Sequence, residues 1–140
     1  MSEAVRGLIL AHSTLAAGLV GAVRQIAGLE DDAALAPLTN EGSGPEGLVA
    51  AINAAAGSEP VVVFTDLSSG SCAFAARKVS LTRPGTGVVS GVNLAVLLDF
   101  VFHRDLPLPE LIERLVEKGR GSILGSCTEG LVDVDRALPR

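Results

Sequence analysis

The chain has 140 residues, of which 48% are hydrophobic, so it is long enough to bury a core and too apolar to be disordered. Its formal net charge is -5 and it has neither Trp nor Tyr, which disfavours nucleic-acid binding, because that needs a basic face or aromatic rings that stack on bases. No segment is long and apolar enough to span a bilayer, no signal peptide starts the chain and its two distant cysteines make no disulfide framework, so we expect a cytoplasmic protein.

The first two predicted elements are a buried strand and an amphipathic helix. A continuous apolar run predicts the strand over residues 6–11. The helix is predicted over residues 14–27, with Ser13 as its N-cap and Gly28 as its C-terminal stop. The apolar face of this helix is predicted to carry Leu15, Leu19, Val23 and Ile26.

The next pair is a short strand and a second helix. The strand is predicted over residues 34–38 and the helix over residues 45–56. Ser43 and Glu46 have the spacing of a capping box, and Pro45 suits the first turn of a helix.

The second half of the chain repeats this alternation. We predict strands over residues 61–65 and 87–90, and helices over residues 72–79, 94–102 and 109–119. Ser71 and Asn93 are predicted N-caps, and residues 131–135 are a candidate fifth strand at the sheet edge. The fold class is therefore α/β: a three-layer sandwich with a mainly parallel four-stranded sheet flanked by helices, and a possible C-terminal antiparallel edge strand.

Polar residues follow the strands at the edge where an open parallel sheet carries its ligand sites. His12 directly follows the first strand and Asp66 follows the third. A hydrogen bond between them would fix the imidazole tautomer and make one ring nitrogen a better nucleophile. The loops at residues 40–45 and 91–93 are expected at the same edge.

The same edge has the features of an anion site. Backbone N–H groups at helix N-termini bind anions, Ser71 adds a hydroxyl donor and Gly70 allows close approach of the backbone. Ser13 is placed similarly beside His12. No Walker lysine is present, and the glycine-rich residues 41–44 form no nucleotide fingerprint. This combination suits a phosphoryl group carried on the histidine itself.

These residues resemble the IIA component of the mannose family of the bacterial phosphotransferase system (PTS), and a related domain in the phosphotransferase subunit of dihydroxyacetone kinase. The resemblance covers about residues 6–124. It rests on residues 10–13, 38–42, 45–48, 64–71, 89–94 and 111–121. It implies one IIA domain over residues 1–140, with its core at 6–124 and a C-terminal tail at 125–140.

The resemblance also implies the activity and the partners. The histidine phosphocarrier HPr would phosphorylate His12, which would pass the group to a IIB protein, without a cofactor or metal. Asp66 would orient His12, and Ser71 would contact the phosphoryl group with Ser13 and Gly70 beside it. Asn93 would have a supporting role. The family implies a homodimer that exchanges C-terminal strands, and a peripheral position at a membrane IIC/IID complex if one exists.

Departures from the family pattern, including the absence at Ser68 of an aromatic residue found in some members, and alternative interpretations accompany this prediction. The family usually has Gly and Pro where this chain has Ser69 and Cys72. His12 alone could be a structural residue, and Cys72 a small buried one. A regulatory module of the same fold, whose partner contacts depend on phosphorylation of His12, is the alternative function. A hydrolase using Ser71 or His12 is disfavoured, because Ser71 lacks the Gly-x-Ser-x-Gly pattern and the sequence shows no metal-ligand cluster to replace it.

Overall fold

The computed structural model describes residues 4–30, 33–39 and 44–129. Four strands and five helices occur in this part of the chain. They are β1 (Arg6–Ala11), α1 (Leu15–Ala27), β2 (Leu35–Thr39), α2 (Pro45–Ala56), β3 (Val61–Thr65), α3 (Ser71–Thr82), β4 (Thr86–Ser90), α4 (Leu94–Val101) and α5 (Leu108–Gly121). The elements predicted up to residue 119 are all present, and the bounds of β1, α2 and β3 are those predicted.

The sheet is fully parallel in the order β2-β1-β3-β4. The register pairs Leu10 of β1 with Thr65 of β3. The chain moves from β1 to β2 on one side and continues through β3 and β4 on the other, so the junction of β1 and β3 is a topological switch point. Ligand sites of open α/β sheets lie outside the carboxyl ends of the strands at such a point.

Helices cover both faces of the sheet, which confirms the three-layer α/β prediction. Ile9 of β1 packs in a cluster with α1, α4 and α5, where the rings of Phe64 and Phe100 meet edge to face with centroids 5.1 Å apart. Leu8 and Leu10 point to the opposite face and pack with α2 and α3. Because both faces of β1 and β3 are buried, the continuous apolar character of these strands is explained.

The start of α1 differs from the prediction. Thr14, not Ser13, is the N-cap, and neither contributes a side-chain cap. Ser13 instead has a φ of 54°, the one described non-glycine residue in the left-handed region, which turns the chain sharply after His12. The predicted C-terminal stop is confirmed, because Gly28 ends α1 with φ 75°.

The buried face of α1 agrees in part with the predicted one, because Val23 is buried and Leu19 is partly buried against the core. Leu15 and Ile26 are 44% and 61% exposed. The residues that pack on the sheet are Ala16, Val20 and Val23.

The predicted caps of α2 and α3 are also corrected. Gly44 is the N-cap of α2, so the predicted capping box with Glu46 is wrong, although Pro45 does lie in the first turn. Gly70 is the N-cap of α3, and Ser71 is the first helical residue. Ser43 and the candidate strand at residues 131–135 lie outside the described residues.

Within residues 4–30, 33–39 and 44–129, none of the helices has the length and apolar character needed to cross a bilayer.

Candidate active site

His12 lies at the carboxyl end of β1, beside the junction with β3. Its side chain is 46% exposed, so a ring nitrogen is accessible to another protein. The left-handed Ser13 follows it, and the Leu15 N–H donates back to the His12 carbonyl at 3.2 Å. These contacts hold the His12 backbone in a tight turn between β1 and α1.

Asp66 makes the predicted contact with His12. The distance from His12 Nδ1 to Asp66 Oδ2 is 2.8 Å. The same oxygen accepts the His12 backbone N–H at 3.1 Å, and Oδ1 accepts the Leu67 N–H at 3.0 Å. A carboxylate can only accept, so Nδ1 carries the ring proton and the Nε2 lone pair of the neutral ring is free.

The Asp66 carboxylate is kept ionised by these bonds. Desolvation by burial opposes ionisation, but hydrogen bonds from the His12 backbone and ring, the electrostatic interaction with the His12 ring and the Leu67 N–H outweigh it. The pKa of Asp66 is therefore lowered from its ordinary value of 3.8. At neutral pH the site presents a fixed negative charge to the Nδ1 side of the imidazole.

A buried hydroxyl network holds the loop that carries Asp66, and the sequence analysis missed it. Thr65 is fully buried and its hydroxyl donates to the Leu67 carbonyl at 2.8 Å. The same hydroxyl lies 2.7 Å from Ser90 Oγ, in the register pair that joins the ends of β3 and β4. Backbone N–H groups of Gly91 and Val92 donate to the Thr65 carbonyl. The hydroxyl residues that end both strands were the available sequence signal.

The start of α3 forms the other wall of the site. Gly70 has φ 94° and ψ -175°, a conformation that is essentially confined to glycine. The first N–H groups of α3 have no partner within the helix. Arg77 donates to the Ser68 carbonyl at 3.1 Å and ties the preceding loop to the helix. These N–H groups are suited to an anion.

The remaining predicted site residues have different surroundings. Asn93 caps α4 by accepting the Val96 N–H at 3.0 Å and donates to Ser122 Oγ at 3.0 Å, so it joins α4 to the end of α5. Ser71 is half-buried in the first turn of α3, and Ser13 is exposed beside His12. Of the loop at residues 40–45, residues 40–43 lie outside the described residues.

Cys72 adds a third chemical group that the sequence analysis did not place in the site. It is buried at 1% exposure, which fits the expected small core residue. Burial and the nearby Asp66 charge raise the pKa of its thiol, against a hydrogen bond from Ser71. One ligand atom from each of His12, Asp66 and Cys72 lies within 4.8 Å of the others. Residues 12, 66 and 72 come together only because β1 pairs with β3.

The sequence matches the family model EIIA-man, described as the PTS system fructose IIA component, over residues 7–116. This match covers well over half of the chain. No protein of curated function matches the sequence closely enough to count as a relative.

Three solved structures of PTS components have a similar fold. The mannose/sorbose-specific IIA subunit from Enterococcus faecalis is 26% identical with a TM-score of 0.77, and the match covers 93% of this chain and 100% of that one. Component EIIA from Streptococcus agalactiae is 20% identical with a TM-score of 0.78, over 86% of this chain and 96% of that one. The IIA protein associated with the fucose utilization operon of Streptococcus pneumoniae is 21% identical with a TM-score of 0.71, over 89% and 96%.

Proposed function

Because the chain belongs to the EIIA-man family of PTS IIA components, we propose that it is a phosphocarrier that accepts a phosphoryl group on His12 from HPr and passes it to a IIB protein. The observation that carries the proposal is the 2.8 Å contact between His12 Nδ1 and Asp66 Oδ2 on an exposed ring. That contact leaves Nε2 as the free nucleophile.

The transfer is a displacement at phosphorus. The Nε2 lone pair forms a new N–P bond while the bond from phosphorus to the phosphohistidine of HPr breaks, and the electron pair of that bond stays on the donor ring. The His12 ring becomes positively charged as Nε2 bonds to phosphorus, because Nδ1 keeps its proton. The Asp66 carboxylate stabilises this charge through the Nδ1–H bond. It therefore stabilises the transition state, in which the positive charge develops.

The phosphoryl oxygens need donors as they arrive. The first turn of α3, with Gly70 and the Ser71 hydroxyl, supplies backbone N–H groups and the positive end of a helix dipole. We assign Ser13 the same role beside His12, and Asn93 the indirect one of holding α4 in place. None of these groups forms a covalent bond with the phosphoryl group, so they act by positioning it and by stabilising its charge.

The onward step uses the same atoms in reverse. A IIB protein attacks the phosphorus of phospho-His12, and His12 returns to the neutral Nδ1–H tautomer that Asp66 holds.

We place the carrier in the cytoplasm as a single IIA domain and a homodimer, peripheral to a membrane IIC/IID complex where one is present. The sugar never contacts a IIA component, so this site sets no sugar specificity.

The test is phosphorylation with phosphoenolpyruvate, enzyme I and HPr, followed by intact-mass measurement. We expect one acid-labile phosphoryl group on the wild type and none on His12→Ala. The matched control is His103→Ala, because His103 is the other histidine of the chain and its Nδ1 lies 2.7 Å from the Asp99 carbonyl. That variant should be labelled like the wild type.

Two results would count against the proposal. Labelling that persists in His12→Ala would place the acceptor elsewhere. A wild type that stays unlabelled with HPr from the source organism would exclude the relay, and would favour a regulatory module of the same fold. In that case a His12→Asp variant, which adds a negative charge, should change partner binding without any phosphoryl transfer.

A further inference from the structure

The cluster of His12, Asp66 and Cys72 contains one nitrogen, one oxygen and one sulfur ligand. This mixture is unusual for a phosphoryl site, because a phosphoryl transfer through His12 and Asp66 has no task for a thiol. It is the mixture that zinc accepts, since Zn²⁺ binds imidazole, carboxylate and thiolate with little geometric preference. Among the described residues, this is the one group of three such side chains close enough to share an ion.

The distances are near those of a tetrahedral centre. Zinc bonds of about 2.0–2.3 Å place neighbouring ligand atoms about 3.3–3.7 Å apart. The observed Nδ1–Oδ2 distance is 2.8 Å, and all three ligand atoms lie within 4.8 Å of one another. The His12 ring is 46% exposed, so it can rotate to close the remaining gap, and its open side leaves a fourth position for water.

We propose that His12, Asp66 and Cys72 form a zinc site, and that zinc and the phosphoryl group compete for His12. Zinc binding itself does not depend on the phosphocarrier role, whereas the competition rests on that proposed function. On binding, the Cys72 thiol becomes a thiolate and its proton passes to solvent. The ion is a free divalent cation from solution, and no redox step is involved.

The competition follows from the two nitrogens of one ring. If zinc takes Nδ1, the ring proton must reside on Nε2, whose lone pair is then unavailable for attack on phosphorus. If zinc takes Nε2, the nucleophile is occupied directly. In the opposite order, a phosphoryl group on Nε2 leaves Nδ1 protonated, so neither ring nitrogen has a lone pair for the metal. Either ligand therefore excludes the other.

The first experiment measures zinc binding to the untagged chain by isothermal titration calorimetry with zinc sulfate. We expect one ion per chain, and an affinity weaker by about tenfold or more in Cys72→Ala and in His12→Ala. Cys127→Ala is the matched control, because Cys127 is an exposed cysteine outside the site and its loss should change nothing. Equal affinity in Cys72→Ala and the wild type would overturn the proposal.

The second measurement identifies the sulfur ligand and guards against misfolding. Co²⁺ bound in place of Zn²⁺ should give a near-ultraviolet thiolate-to-metal absorption in the wild type and in Cys127→Ala, and none in Cys72→Ala. Because Cys72 is buried, Cys72→Ser is prepared as well, and circular dichroism checks that each variant folds. A charge-transfer band that disappears with Cys127 instead would refute the assignment.

The third experiment separates the site from the function. Zinc should slow phosphorylation of the wild type by HPr, and it should have little effect on Cys72→Ala when each protein is compared with its own rate without zinc. If the wild type binds zinc and is never labelled, the zinc site stands and the phosphocarrier role fails. If labelling proceeds at the same rate with saturating zinc, the competition is wrong.

Discussion

Asp66→Asn tests whether the carboxylate sets the reactivity of His12. The substitution keeps the shape of the side chain but replaces one acceptor oxygen with an NH₂ group. In the wild type, Asp66 Oδ2 accepts the ring Nδ1–H and the backbone N–H of His12, while Oδ1 accepts the Leu67 N–H. An amide has one oxygen and cannot serve both positions.

The variant must therefore lose one of two sets of bonds. With its oxygen toward His12, the amide places NH₂ against the Leu67 N–H and pushes the loop away. With its oxygen toward Leu67, it faces the ring with a donor and favours the tautomer that has its proton on Nε2. Both arrangements also remove the negative charge that stabilises the phosphorylated ring.

The magnitude follows from the bond that is lost. A hydrogen bond to a charged group contributes about 1.5–3 kcal/mol. If that amount is lost in the transition state, the transfer rate falls about 10- to 150-fold, since each 1.36 kcal/mol is a factor of ten. The assay is single-turnover transfer from phospho-HPr to the IIA chain, stopped by rapid quench and read by intact mass.

The matched control is Asp99→Asn. Asp99 has a largely buried carboxylate on α4 that pairs with Arg114 at 2.9 Å and lies 3.5 Å from His103 Nδ1, outside the His12 site. It should transfer at the wild-type rate. An Asp66→Asn rate within twofold of the wild type would show that the carboxylate has no part in the reaction, and the tautomer argument would be wrong.

Three further predictions concern stability and can be read by urea unfolding. Gly7→Ala should destabilise the fold by about 1–3 kcal/mol, because the added Cβ would lie 2.6 Å from the Phe100 ring. The control is Gly18→Ala on the exposed side of α1, where open space surrounds the added Cβ, and it should be neutral or stabilising. Thr65→Val should cost about 1–3 kcal/mol, since it removes the buried hydroxyl that holds the loop; an unchanged midpoint would contradict this. The lowered pKa of Asp66 stabilises the fold above about pH 4, so the stability difference between wild type and Asp66→Asn should shrink as the pH falls below about 4.

The sheet could be predicted well because its signal is local. β1 and β3 are continuous apolar runs, and each is followed at once by the polar residue that bears the chemistry, His12 and Asp66. Their meeting follows from one assumption, that strands separated by helices are parallel and end at the same edge. With that assumption, the order of the residues predicts a contact between His12 and Asp66, and the structure has it at 2.8 Å.

The starts of α1, α2 and α3 and the third site residue could not be predicted in the same way, whereas Asn93 was correctly predicted as the N-cap of α4. Gly70 and Gly44 are the caps, and a glycine in a loop has no sequence signal that separates a cap from a turn. Ser13 adopts a positive φ that is rare for serine, so the rule that serine caps helices was misleading. Cys72 enters the site through the position of α3 over the junction of two strands, which depends on tertiary packing.

The position of the Asp66 carboxylate explains why the His12 orientation is a property of the sheet. In the β1–β3 register, Leu10 pairs with Thr65, so Asp66 and His12 lie just beyond the last backbone pairs. The carboxylate accepts the His12 backbone N–H, as a carbonyl of a neighbouring strand would. The same oxygen also accepts the ring Nδ1–H. The orientation of the imidazole is therefore fixed by the backbones of both central strands, β1 and β3. A longer side chain cannot satisfy both bonds at once, so Asp66→Glu should lose transfer activity although it restores the charge. Recovery of the wild-type rate in Asp66→Glu would show that charge alone, without this geometry, is sufficient.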